Sequence, residues 1–112
     1  MARPLEVETI VRARQLLSDP NKWCEGVLAR TYFGIPCSPT IFFAKRFCAR
    51  GALVHEAYKL TGNRALAWRV TSRAEAMVCP VRSSHSLSLA GINDMHGRER
   101  VLKVLGRVPE FA

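Results

Sequence analysis

Asn93 and Asp94 stand side by side, His96 follows closely, and His55 lies next to Glu56 far upstream. An adjacent amide and carboxylate can hold a metal, a substrate or a partner's backbone. Imidazole with carboxylate is the usual equipment for acid–base work, which makes His55, Asp94 and His96 the candidate catalytic set and Asn93 and Asp94 the candidate binding pair. A structural reading competes with each. Asn93 or Asp94 can cap a final helix or satisfy loop N–H groups, and a lone helix histidine is commonly a satisfied boundary residue. Nothing in the spacing makes the three groups converge, so the structural reading is preferred.

Other chemistries find less support. Ser83-Ser84-His85-Ser86 places hydroxyls beside an imidazole, but neighbours in sequence do not make a triad unless the fold arranges them. The chain has no G-x-S-x-G elbow and no glycine-rich phosphate loop, which sets aside nucleotide enzymes of those classes. Cys24, Cys37, Cys48 and Cys79 form no C-x-x-C pair and do not sit at ligand spacing from the histidines. They are read as free thiols, and no metal or cofactor is expected.

The net charge of +8 points to polyanionic partners. Arg64, Arg69 and Arg73 with Trp68 beside them, and Arg98 with Arg100, are the candidate nucleic-acid contacts through phosphate pairing and base stacking. Against this, the basic residues are spread in ones and twos, thirteen of seventeen are arginine as in a GC-rich genome, and no helix-turn-helix spacing appears. A solvated helix face with Trp68 in the core accounts for the same residues.

The elements that must position these groups are mainly helical. A length of 112 residues at 48% hydrophobic and 23% charged suits one hydrophobic core. The first helix is expected from Pro4 to Ser18 and ends at Asp19-Pro20-Asn21. One or two helical turns follow from Asn21 through Trp23, Val27 and Leu28. A loop then packs inward through Tyr32, Phe33 and Ile35. Ser38-Pro39 is expected to start a long central helix to Leu60, with Ala44, Phe47, Cys48, Gly51, Ala52, His55 and Tyr58 on one face and Gly51 at a tight crossing. Thr61-Gly62-Asn63 ends it and caps another helix from Arg64 to Val78, whose stripe is Ala65, Leu66, Val70, Ala74 and Met77. Residues 86–91 read as a short extended segment or a helical turn, and Gly97–Gly106 as the last helix. The expected fold is a compact bundle of four to five helices in a single domain, 1–112. No apolar run is long enough to span a bilayer and the N-terminus lacks the pattern of a secretory signal, so no membrane partner and a cytoplasmic location are expected.

Trp23, then Cys48-Ala49-Arg50-Gly51-Ala52-Leu53, then Ile92-Asn93-Asp94 ahead of Arg98–Leu105, occur in an order that resembles an uncharacterised bacterial family also met in phages, a domain of unknown function. The match covers roughly Val7 to Leu105. The resemblance implies a small helical protein and carries no activity, ligand or catalytic residue. The preferred reading is a non-enzymatic module that binds a protein partner or itself, because Phe42, Phe43 and Phe111 exceed what one small core buries. Nucleic-acid binding ranks second and a small enzyme with a His/Asp site third.

Overall fold

Pro4 occupies the N-cap of α1 (Leu5–Leu17) in the computed structural model, which describes residues 3–79 and 88–108. Glu6 and Glu8 lie in its first turn, at the positive end of the helix dipole. Val7, Ile10, Val11, Ala13 and Leu17 are buried at helical spacing. The chain then breaks as expected: the Asp19 carboxylate accepts from the Asn21 N–H, and Pro20–Lys22 make one 3-10 turn. No further helical turn follows. Trp23 is extended and forms a parallel bridge with Phe47, and the Cys24 N–H donates to the Phe47 carbonyl at 3.0 Å.

The largest departure from expectation lies between Pro39 and Cys48, where the central helix is replaced by turns over 39–43 and a strand over 44–47. Strands β1 (Ala29–Thr31), β2 (Pro36–Cys37) and β3 (Ala44–Phe47) form an antiparallel sheet of order β2-β1-β3. Arg30 pairs with Arg46 and Thr31 with Ala44, so Lys45 is an extra residue that bulges from β3. The bulge turns both Ala44 and Phe47 inward while Lys45 and Arg46 face out. That three-residue spacing is the same as a helix stripe, which is why the pattern reads as helical.

Helix α2 (Ala49–Thr61) therefore starts at Cys48, whose sulfur accepts from the Gly51 N–H at 3.3 Å. The tight crossing at Gly51 is present, but against strand-side backbone rather than a helix. A Cβ there would lie 1.8 Å from the Leu28 carbonyl oxygen, which also accepts from the Cys48 N–H. Gly62, at φ 67°, ends α2, and the Asn63 side chain caps α3 (Arg64–Val78) through the Leu66 N–H. The buried face of α3 is Ala67, Val70, Thr71, Ala74 and Val78. Ala65 and Met77, assigned to it from sequence, are exposed.

Helix α4 (Leu89–Leu105) begins well before Gly97, with the Ser88 hydroxyl as its cap, so 88–91 are not a strand. Gly97, at φ 83° and ψ 179°, breaks it into two helical pieces. Among the described residues the result is four helices and one small sheet, so of the expected four to five helices there are not five. Residues of all four helices and of β1 and β3 share one core around Ile10, Leu17, Leu53, Leu89 and Leu105. No helix of the described residues is long and apolar enough to cross a membrane. Ser83, Ser84, His85, Ser86 and Phe111 lie outside the described residues.

Candidate functional site

The Asn93-Asp94 pair sits in the second turn of α4, not ahead of the last helix. Asn93 is fully buried and uses all of its hydrogen-bonding capacity. Its side-chain oxygen accepts from the Trp23 indole N–H at 2.8 Å and from the Ala49 backbone N–H at 2.9 Å. Its NH₂ donates to the Cys24 carbonyl at 3.0 Å and to Asp94 Oδ1 at 3.1 Å. Asp94 is exposed, and the same Oδ1 accepts from the Gly26 N–H at 2.9 Å. The pair thus ties α4 to the Trp23–Gly26 segment and to the first turn of α2, with no capacity of Asn93 left for a ligand. Neither residue caps α4, the last helix; they satisfy backbone N–H groups of other segments instead.

The candidate catalytic set does not assemble. His55 stacks on Phe47 with ring centroids 4.3 Å apart, and its Nδ1 lies 2.9 Å from the Pro39 carbonyl oxygen. Asp94 engages Gly26 and Asn93, and His96 is exposed on α4. No hydrogen bond or ion pair joins the three among the described residues, and none of those residues form a group of three metal-ligating side chains.

Most of the candidate nucleic-acid contacts are engaged within the fold. Arg64 donates to the Thr40 hydroxyl at 3.2 Å and lies over the Tyr58 ring. Arg73 meets Glu6 at 3.6 Å, and Arg98 donates to the Leu17 and Ser18 carbonyls and to Glu99. Trp68 is half-buried beneath the Arg50 guanidinium, which is itself held by Glu75 at 2.6 Å. Arg69 and Arg100 are exposed. The cysteines are free thiols, as expected. Burial pushes Cys24 up to about 11, reinforced by the nearby Cys48, and raises Cys48 itself despite the opposing Gly51 and Arg50 amides.

The most distinctive surface lies at one end of the sheet, in residues expected to pack inward. Tyr32, Phe33 and Ile35 cap the β1–β2 hairpin, which closes through Gly34 at φ 82°. Phe42 and Phe43 lead into β3. Because Thr31 pairs with Ala44, Tyr32 and Phe43 leave the β1/β3 ladder at the same end. Phe33 is 84% exposed and Phe42 91% exposed. Each sits edge-to-face with its neighbour, Tyr32 or Phe43, at centroid distances of 5.3 and 5.1 Å. Phe42 and Phe43 stand out from sequence alone. Tyr32 and Phe33 do not, although aromatic residues followed by a glycine are a hairpin signal.

A family described as "Family of unknown function (DUF6197)" matches residues 1–110. No curated protein and no solved structure matches the chain.

Proposed function

The chain belongs to that family of unknown function, as a small and mainly helical module, and from this premise we propose that it is a non-enzymatic protein-binding module. Its contact surface is the aromatic end of the sheet, and its partner is an acidic protein surface with apolar groups. The observation that carries the reading is the joint exposure of Tyr32, Phe33, Ile35, Phe42 and Phe43. Leaving such large apolar side chains in water costs free energy that a partner's surface recovers. Aromatic residues on a rigid scaffold are also the common anchors of interfaces.

Charge gives the partner's character. No acidic residue occurs between Glu25 and Glu56, whereas Arg30, Lys45, Arg46 and Arg50 do, and Lys45 and Arg46 face outward from β3. Two copies of a chain at +8 would meet with like charge at this surface, which favours an acidic partner over self-association. The test is paired affinity capture with the native chain and a Phe33→Ser/Phe42→Ser variant, followed by titration of the recovered protein. Support is an acidic protein that the variant binds at least about tenfold more weakly. A partner held equally by both baits, or a dimer of the native chain lost in the variant, overturns the reading.

A further inference from the structure

Trp23 and Phe47 bridge in parallel, and the Cys24 N–H donates to the Phe47 carbonyl at 3.0 Å. The next residue on each segment is a cysteine. Partners in a parallel pair sit about 4.8 Å apart and point their side chains to the same face, so the register makes Cys24 and Cys48 neighbours. That separation falls within the roughly 4.4–6.8 Å between Cα atoms that a disulfide spans. The backbone around both thiols is held in place. Asn93 takes the Cys24 carbonyl and the Ala49 N–H, and the Leu28 carbonyl accepts from the Cys48 N–H at 3.1 Å.

The two sulfurs are not equivalent. Cys48 Sγ caps α2, accepting from the Gly51 N–H at 3.3 Å, at the positive end of a 13-residue helix. A donor and a dipole there favour the thiolate, the form that attacks an oxidant. Cys48 also lines a cleft of about 160 Å³ with Gly26, Val27, Leu28, Ala90 and Asp94, which has room for hydrogen peroxide, a molecule little larger than water. The Cys24 thiol donates to the Val27 carbonyl at 3.8 Å, and the charge of Cys48 contributes to its raised pKa, as expected of sulfurs this close.

We propose that Cys24 and Cys48 are a dithiol–disulfide pair that hydroperoxides oxidise, Cys48 reacting first and Cys24 resolving. With hydrogen peroxide, the Cys48 thiolate attacks the O–O bond and becomes a sulfenic acid, and the displaced hydroxide takes the thiol's proton and leaves as water. The Cys24 sulfur then attacks the Cys48 sulfur, the S–OH bond breaks, and that hydroxide leaves with the Cys24 proton as a second water. The two sulfurs together give two electrons to the peroxide. The new bond ties the segment leading into β1 to the cap of α2.

The test is hydrogen peroxide on the folded, reduced full chain, then alkylation of the remaining thiols in urea, trypsin digestion without reductant and mass spectrometry. Trypsin places the four cysteines on separate peptides. The linked pair 23–30 and 47–50 is expected, at least about tenfold above any other link within the chain. Oxidation in urea should reverse that order, because shorter loops then favour links from Cys37 to Cys24 or Cys48. Cys24→Ser should leave Cys48 as a sulfenic acid that dimedone labels, and Cys48→Ser should leave Cys24 reduced at the same peroxide dose. Should a variant not fold, the peptide map of the native chain decides alone. A dominant link through Cys37 or Cys79, the same links in urea as in the folded chain, or Cys24 and Cys48 both recovered alkylated would overturn the proposal.

Discussion

The Trp23 indole N–H ends on the side-chain oxygen of Asn93, 2.8 Å away and 70 residues along the chain. That oxygen also holds the first N–H of α2, and the same amide's NH₂ holds the Cys24 carbonyl. One side chain therefore fixes three segments that are distant in sequence. Asn93→Ala would leave an indole N–H, a backbone N–H and a carbonyl without their partner around a fully buried site. A loss of at least about 3 kcal/mol is expected in urea unfolding. Asn93→Asp keeps the acceptor but loses both donors and adds a charge beside Asp94, and should also destabilise markedly at neutral pH.

Gly51 makes the second rigid prediction. The obstacle to a side chain there is the Leu28 carbonyl oxygen, 1.8 Å from an added Cβ, and it cannot swing aside because it accepts from the Cys48 N–H. Gly51→Ala gains helix propensity yet is expected to destabilise by about 2–3 kcal/mol, since the overlap must push α2 off β1. Ala57, buried on the same helix, provides the contrasting case: Ala57→Gly should cost only about 1 kcal/mol. Chemical denaturation of both variants checks the order.

Local signals were enough for α1 and α3, because Pro4, Asp19-Pro20, Gly62 and Asn63 act through neighbours in sequence. They were not enough for the sheet, whose strands of three, two and four residues exist through pairing with distant partners. The bulge at Lys45 then gave β3 the spacing of a helix face. Asn93 stands out from sequence as a polar residue of interest, but its bonds to Trp23 and Ala49 are long-range and follow no local rule.

The thiols yield a pH prediction. Burial holds Cys24 protonated up to about 11, against an ordinary value near 9 in the unfolded chain. A group whose folded pKa is raised leaves stability intact below the unfolded value and removes it as pH climbs through the folded one. The native chain should therefore lose stability between about pH 9 and pH 11, and Cys24→Ala should lose less over the same window, read as the change in urea midpoint with pH. At pH 8 the half-buried Cys37 should alkylate before Cys24 and Cys48, because burial raises all three thiols but only Cys37 is open to the reagent.

Two buried threonines should respond in opposite ways to the same substitution. Thr9 and Thr71 are both fully buried in helices. The Thr9 hydroxyl donates to the Leu5 carbonyl at 2.8 Å, one turn back along α1, whereas the Thr71 hydroxyl has no hydrogen-bond partner among the described residues. A buried hydroxyl without a partner carries its desolvation cost uncompensated, and a methyl of nearly the same shape removes that cost. Thr71→Val is thus expected to stabilise by about 1 kcal/mol, a rise of about 4 °C in melting temperature for a domain of this size. Thr9→Val gives up a formed bond and should be neutral or destabilising by up to about 1 kcal/mol. Melting curves of the two variants decide the matter: a loss at Thr71 as large as that at Thr9 would mean that its hydroxyl is bonded in solution, most simply to the Ala67 carbonyl one turn back along α3.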